Sequence, residues 1–501
     1  MKNKKVISIH LFVLFSFSIL MLLVLEKDHM LRCGVLDDLT LNQHYLNNNF
    51  FQATFEGGYK FRPVANAIMW IIFTITRGNL YMYGYINIIF AALCATLIFA
   101  FVLNCFRSYL VSVVASMLYI FSRFSYYQIT QQLGIMETVG TIFGICVVYT
   151  LYEYVETKNG KYYYISVLMY LLASLSHERY LTLFPVLVIS WIMVELNTIK
   201  ENKSIKSFFK PISAIFVFGA VLLLFNIFVN NIMTGTGGSD VTETSNINSI
   251  LVNLKKSIAY LFSINLDSTD MYLNMISWEN YTPLIKGVVC LSNISIVIIV
   301  IMYIVGLFSE EKEDRIKHIK FIVLYVLSIG ALLLISSVTI RVELRWMYFP
   351  YVVMVFMLLD MVCKNNSKKY LKCVKYCAIV IYALATICFS MYCRNFYNNI
   401  YYWRLYTVAN DLIDETYGKY EERMYDKSWV IISSVEELNS YEDIINVYDP
   451  YDKYELKLEV VKSIDEMNSI ERIYEKEILY FDSDDLDFIN VTDIYAGYNT
   501  Q

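Results

Sequence analysis

Apolar stretches of about 20 residues follow one another along this chain, and that repetition limits its fold more than any other feature. The first, VISIHLFVLFSFSILMLLVL at 6–25, follows the basic MKNKK. A helical stretch of this length matches the hydrocarbon thickness of a bilayer. The composition agrees, with 57% hydrophobic, 16% aromatic and only 17% charged residues and a mean hydropathy of +0.46. Soluble domains sit nearer 45–50% apolar and about 25% charged. An ordinary soluble enzyme and a disordered chain are thereby excluded. Six prolines and 18 glycines exclude collagen-like or low-complexity material.

The expected fold is a polytopic α-helical membrane protein of about eleven spans, at 6–25, 81–104, 108–123, 132–153, 162–176, 180–196, 209–230, 284–307, 320–340, 346–363 and 376–393. The first span has a long apolar region and no small-residue cleavage site, so it reads as a helix and not a removed signal peptide. Residues 64–76 (VANAIMWIIFTIT) are too short to cross and read as a helix at the interface or dipping into it. An odd number of spans leaves the N-terminus cytoplasmic and the C-terminus outside. The segments this assigns to the inside, taken through Lys210 and Lys320 at the span edges, hold 17 Lys and 2 Arg, as the positive-inside rule requires. The expected location is the plasma membrane, multi-pass, with outer loops at 26–80 and 231–283.

The net charge of −5 conceals a division at 393/394: residues 394–501 hold 24 Asp and Glu against 10 Lys and Arg, whereas 1–393 hold 22 against 31. The acidic tail reads as a small extracytoplasmic α/β domain, with strands at SWVIIS, YELKLEVV and EILYFD and helices at VEELNSYEDIINV and SIDEMNSIERIYEK. DSDDLD reads as a solvated acidic turn in preference to a calcium site. The acidity argues against a nucleic-acid partner. The cysteines have neither disulfide-framework nor zinc spacing; Cys94, Cys105, Cys146, Cys290, Cys377 and Cys388 read as small core hydrophobes within apolar runs.

The short outer hairpins contain Arg123, Arg179, Arg341 and Arg345 and no lysine. Basic residues there oppose the orientation rule, and arginine points to planar, bidentate recognition of phosphate or carboxylate. Anchoring to lipid headgroups is the alternative, and it accounts less well for the acidic residues beside these arginines. Glu137 (in QQLGIMETVG) begins the fourth span, His177-Glu178-Arg179 (in LLASLSHERYLTLFP) turns between the fifth and sixth, and Arg341, Glu343 and Arg345 (in RVELRWMYFP) join the ninth and tenth. Charged groups at membrane depth cost about 2.5–3.5 kcal/mol each. Their coincidence on one face implies a polar, partly buried site at the outer interface. The first outer loop adds Asp37 and Asp38, in CGVLDDLTLNQHYL, and Arg62-Pro63, in EGGYKFRPV. Adjacent carboxylates raise at least one pKa and suit general-base work or divalent-metal ligation; an Asp pair also serves as a turn or helix N-cap.

A first span, an outer loop with an Asp-Asp pair, then FRP before a short helix resembles the GT-C superfamily of integral-membrane glycosyltransferases. The stretch from KFRPVANAIMW through LIFAF is similar to bacterial protein O-mannosyltransferase-like members. LLASLSHERYLTLFP resembles their Ser-Lys-Glu turn, and RVELRWMYFP the late arginine-containing loop of many bacterial members. The resemblance covers about residues 1–393 and implies a GT-C fold with a polyprenyl-phosphate sugar donor. The acceptor would be a cell-envelope glycan, lipid or protein. It further implies Asp37 as the base on the acceptor hydroxyl, with Asp38 as partner or alternative, and Arg345, with Arg341, His177 and Arg62, on the donor phosphate. Glu137, Glu178, Arg179 and Glu343 would orient those groups or bind sugar hydroxyls. No metal cage is evident and no dedicated cofactor is implied; a divalent cation at Asp37 and Asp38 is the alternative. His177 stands where the family has Lys, which makes that contact depend on pH near 6–7. A lipid-linked glycan transporter or flippase and a glycan polymerase are the rival readings.

Overall fold

The computed structural model describes residues 2–26, 41, 44–55, 61–76, 81–130, 132, 134–202, 219, 246–267, 275–339, 342–364, 369–398, 429–432, 458–461, 463–470, 476–482 and 487–494. Asp37, Asp38 and Arg341 lie outside these residues, as does the expected span at 209–230 apart from Gly219.

The helices in chain order are α1 (Lys2–Glu26), α2 (Phe50–Phe55), α3 (Pro63–Thr76), α4 (Tyr81–Phe106), α5 (Tyr109–Ile120), α6 (Tyr126–Thr130), α7 (Gly134–Thr157) and α8 (Gly160–Ser176). After these come α9 (Phe184–Asn202), α10 (Ile247–Leu261), α11 (Pro283–Leu307), α12 (Lys312–Ser337), α13 (Tyr348–Cys363) and α14 (Lys369–Asn398). Short 3-10 turns at Glu178–Leu183 and Leu344–Met347 lead into α9 and α13. Among the described residues, seven segments are long and apolar enough to cross a bilayer: Ser8–Glu26, Met82–Phe106, Gly134–Thr157, Pro283–Leu307, Lys312–Ser337, Leu344–Cys363 and Tyr370–Phe396. The chain is a polytopic helical membrane protein. Of the eleven expected spans, α5 is short, with 12 residues, and α8 has 17, at the lower limit of a crossing, before the chain tightens into the turn at Glu178.

Burial separates central from peripheral helices. The most apolar stretch of Leu344–Cys363 is 89% buried inside the protein, against 17% for Ser8–Glu26 and 28% for Pro283–Leu307. α13 is therefore the axis of the bundle, while α1 and α11 turn Phe12, Leu20, Ile294 and Ile301 outward. A bilayer would cover those side chains. The cysteines follow the same division, and the expectation that all six are core residues needs correction. Cys94 is buried, but Cys290, Cys377 and Cys388 are exposed on α11 and α14. An apolar run records depth in the membrane, not which face of the helix meets protein.

α7 and α8 form a tight antiparallel hairpin. Its turn uses Lys158 in the left-handed region (φ 57°), and the Asn159 side chain accepts the Lys161 backbone N–H at 3.0 Å to cap α8. At 1.5 Å per residue, this lysine-bearing turn lies about 30 Å along α7 from Glu137. α3 starts at Pro63, a position that needs no N–H donor. It packs on α7 and α8, burying Ala65, Met69, Ile72 and Phe73.

In the tail, β1 (Trp429–Ile432), β2 (Leu458–Val461), β3 (Glu477–Asp482) and β4 (Asp487–Asn490) form one sheet of order β2-β1-β3-β4. β1 pairs parallel with β2 and β3, and β3 pairs antiparallel with β4. Helix α15 (Ile464–Asn468) is capped by Ser463, whose Oγ accepts the Glu466 N–H at 3.3 Å. Val461, Met467 and Ile478 pack together. The three expected strands are present. β4 was not expected: Asp482 and Asp487, the two ends of DSDDLD, are register partners across β3 and β4, and the four residues between them lie outside the described residues.

Candidate functional site

Four segments, the first and last more than 280 residues apart, bring charged side chains together at the end of the bundle where α3 and α7 begin and α8 ends. The first is Phe61-Arg62, the approach to α3. Arg62 Nε and Nη2 donate to Glu178 Oε2 and Oε1, each at 2.7 Å, and Nη1 contacts Met136 Sδ at 3.3 Å. This is a fork-to-fork pair, the geometry that favours arginine over lysine.

The second and third segments are the first turn of α7 and the turn after α8. Glu137 lies in the first turn of α7, where the helix dipole favours a carboxylate. Its Oε1 accepts from Arg179 Nη1 at 2.9 Å and stands 3.2 Å from His177 Nε2. His177 is 3% exposed. Its Nδ1 accepts the Arg179 backbone N–H at 3.3 Å, which places the ring proton on Nε2, facing Glu137. Burial first, and the Arg62 guanidinium second, hold the imidazole below its ordinary range against the opposing pull of Glu137 and Glu178. Protonation of His177 is therefore shifted to lower pH than that of a free imidazole.

The fourth segment is the approach to α13. Arg345 Nε donates to Glu343 Oε2 at 2.5 Å, and Glu343 is 1% exposed. The indole of Trp346 ties this segment to the others, because the Arg179 guanidinium stacks on it 4.6 Å from the ring centroid. From α6, Gln128 Nε2 donates to the Arg345 carbonyl at 3.0 Å. Gly134 permits the close approach of α6 to α7, since a Cβ there would collide with the Gln128 backbone carbonyl. Tyr180 is seated the same way: Gly140 and Gly144 form notches for its ring, and its hydroxyl meets Thr141 Oγ1 at 2.9 Å. The turn at 177–180 is thus held by packing as well as by charge.

Seven of the ten residues expected at the site lie among the described residues, and all seven meet here. Arg62 and His177, expected on a donor phosphate, are engaged with protein carboxylates. The three guanidinium groups of Arg62, Arg179 and Arg345 balance the three carboxylates of Glu137, Glu178 and Glu343, so the cluster as described is neutral. Arg123 does not join it. That residue is buried elsewhere, donating to the Tyr260 and Leu261 carbonyls at the end of α10 and stacking on Phe124 at 4.1 Å. Sequence reasoning missed Trp346 and Gln128, although Trp346 directly follows Arg345. Among the described residues no three His, Cys, Asp or Glu side chains group as a metal site would need.

The chain matches no protein-family model and no curated protein.

Proposed function

We propose that the chain is a GT-C-type glycosyltransferase that moves a sugar from a polyprenyl-phosphate donor to a cell-envelope glycan, lipid or protein acceptor at the outer face of the plasma membrane. The observation that carries this reading is the convergence of the FRP, HER and VELRW segments into one partly buried ionic cluster at a single end of the bundle. Burial of that many ions costs several kcal/mol and is a mark of function in membrane proteins. The lysine-bearing turn at Lys158 is at the far end of α7 from the cluster. The positive-inside rule then favours an outer position for the cluster, and in this reading the acidic tail domain belongs on that side.

In this reading Asp37 takes the proton of an acceptor hydroxyl as its oxygen attacks the anomeric carbon, with Asp38 as its partner. The bond from that carbon to the phosphate oxygen breaks, and the lipid phosphate leaves with the electron pair. A single displacement inverts the anomeric centre. Arg345 and Arg341 stabilise the charge that grows on the phosphate. Arg341 supplies the positive charge that the balanced cluster does not. Arg62, Glu178, His177, Glu137 and Arg179 act as the frame, fixing the 177–180 turn against the approach to α13. The leaving phosphate is weakly basic, so it needs charge stabilisation and no proton.

The test is transfer of labelled sugar from polyprenyl-phosphoryl sugars by the full chain in proteoliposomes. A lost general base is worth roughly 10²–10⁴-fold, and that loss is expected in Asp37→Asn or Asp38→Asn with lipid binding retained. Full activity in both variants removes the mechanism. Movement of intact lipid-linked glycan across the bilayer without sugar transfer favours a transporter. Growth of polymer from a lipid-diphosphate oligosaccharide favours a polymerase.

A further inference from the structure

α10 falls in the stretch 231–283, which the sequence reads as an outer loop, yet its surface divides into three strips. Asn253, Ser257, Tyr260 and Leu261 are buried against the protein. Ile247, Leu251 and Ile258 are 73%, 50% and 42% exposed. At about 100° per residue these three fall within about 40° of one another, a single apolar stripe next to the buried strip. Round the other side come Asn248 and Lys255, both exposed, and Lys256, whose Nζ pairs with Asp267 Oδ2 at 2.9 Å. With 15 residues the helix is about 22 Å long, short of a hydrocarbon core of about 30 Å, so it does not cross.

Hydrogen bonds to two spans place this helix. Just past its end, the Phe262 carbonyl accepts from Asn293 Nδ2 at 3.0 Å. Asn293 lies within the span Pro283–Leu307, about 15 Å along it from Pro283, so this end of α10 sits at membrane depth. Midway along, Asn253 Nδ2 donates to the Ser337 and Thr339 carbonyls at 3.3 and 2.6 Å, where α12 ends, and α10 touches the Leu344–Met347 turn itself. An exposed apolar stripe at that depth meets acyl chains, and a lysine on its flank reaches the headgroups. We propose that α10 is an interfacial helix embedded in the leaflet on the cluster side, with Ile247, Leu251 and Ile258 in the acyl chains and Asn248 and Lys255 toward the headgroups. Lipid then fixes the depth of the segment that carries Glu343 and Arg345. This placement does not depend on the glycosyltransferase reading.

The experiment uses the full chain in nanodiscs that contain a phospholipid with an aryl-diazirine on its acyl chain. After photolysis, adducts are mapped to residues by mass spectrometry, with Ile294 and Ile301, exposed on α11, as the reference. Adducts should appear on Ile247, Leu251 and Ile258 and be absent from Asn248 and Lys255. Leu251→Glu combined with Ile258→Glu should lose the α10 adducts and keep those on α11; the wild-type map carries the test if that variant does not fold. Adducts on α11 with none on the α10 stripe overturn the proposal, as do adducts spread evenly around α10. Lysine crosslinks joining α10 of two copies, without lipid adducts, also overturn it and assign the stripe to self-association.

Discussion

The Arg62–Glu178 pair gives an asymmetric and measurable expectation. Two hydrogen bonds of 2.7 Å join a guanidinium that is 7% exposed to a carboxylate that is 26% exposed. Glu178→Met strands a buried cation, a loss of about 3–5 kcal/mol. Arg62→Met leaves a carboxylate with a quarter of its surface in water, which hydration and protonation relieve; solvent screening lowers this loss to about 1–3 kcal/mol. Removing both partners together should cost no more than Glu178→Met alone, because no uncompensated charge is left. The double-mutant cycle therefore predicts a coupling at least as large as the Arg62→Met loss, about 1–3 kcal/mol. Unfolding free energies by steric trapping in bicelles provide the readout. Additivity within about 0.5 kcal/mol, or a larger loss from Arg62→Met than from Glu178→Met, would refute the claim that burial of the cation is what makes this pair matter.

Other expectations follow from the same geometry. His177 binds its proton less readily in the fold than its ordinary value near 6.5, facing Arg62, Glu137, Glu178 and Arg179. As pH falls below that value the unfolded chain takes up the proton first, so stability present above it declines toward the lower folded value. Thermal unfolding between pH 7.5 and 5 should show this decline, and His177→Asn should reduce it. Gly140→Ala puts a Cβ 2.5 Å from the Tyr180 ring, which is buried and hydrogen-bonded to Thr141. It should lose about 1–3 kcal/mol and impair sugar transfer, whereas Gly287→Ala, with nothing within 4 Å, should be neutral or slightly stabilising in the same thermal assay. Arg345→Lys keeps the charge but not the fork, and should depress sugar transfer nearly as far as Arg345→Ala. At the ends of the first and last described membrane helices, Arg394 pairs with Glu26, both buried. Arg394→Met should lower the unfolding temperature in detergent, and adding Glu26→Met should recover part of it.

The sequence alone determined that this chain is a helical membrane protein, because apolar runs of bilayer length have few other solutions. It also determined which residues were candidates. A charge at the end of an apolar run is costly enough to be conspicuous without coordinates, and Glu137, His177, Glu178, Arg179, Glu343 and Arg345 were visible that way, whereas Arg62 was picked out by the FRP resemblance. What each one does was decided only in three dimensions. Arg62 finds its carboxylate 116 residues away, at Glu178. His177 is made harder to protonate by burial and by a neighbouring guanidinium that no local pattern announces. Trp346 and Gln128 look like an interfacial aromatic and a polar turn residue until α6 is laid against the approach to α13. The strand order of the tail, with β1 between β2 and β3, was equally hidden, since parallel pairing depends on crossovers and not on the strands themselves. Transfer from water to lipid is a property of one segment at a time and is legible along the chain. Pairing, burial and pKa belong to the neighbours a residue acquires on folding, and those are set by the packing of the helices.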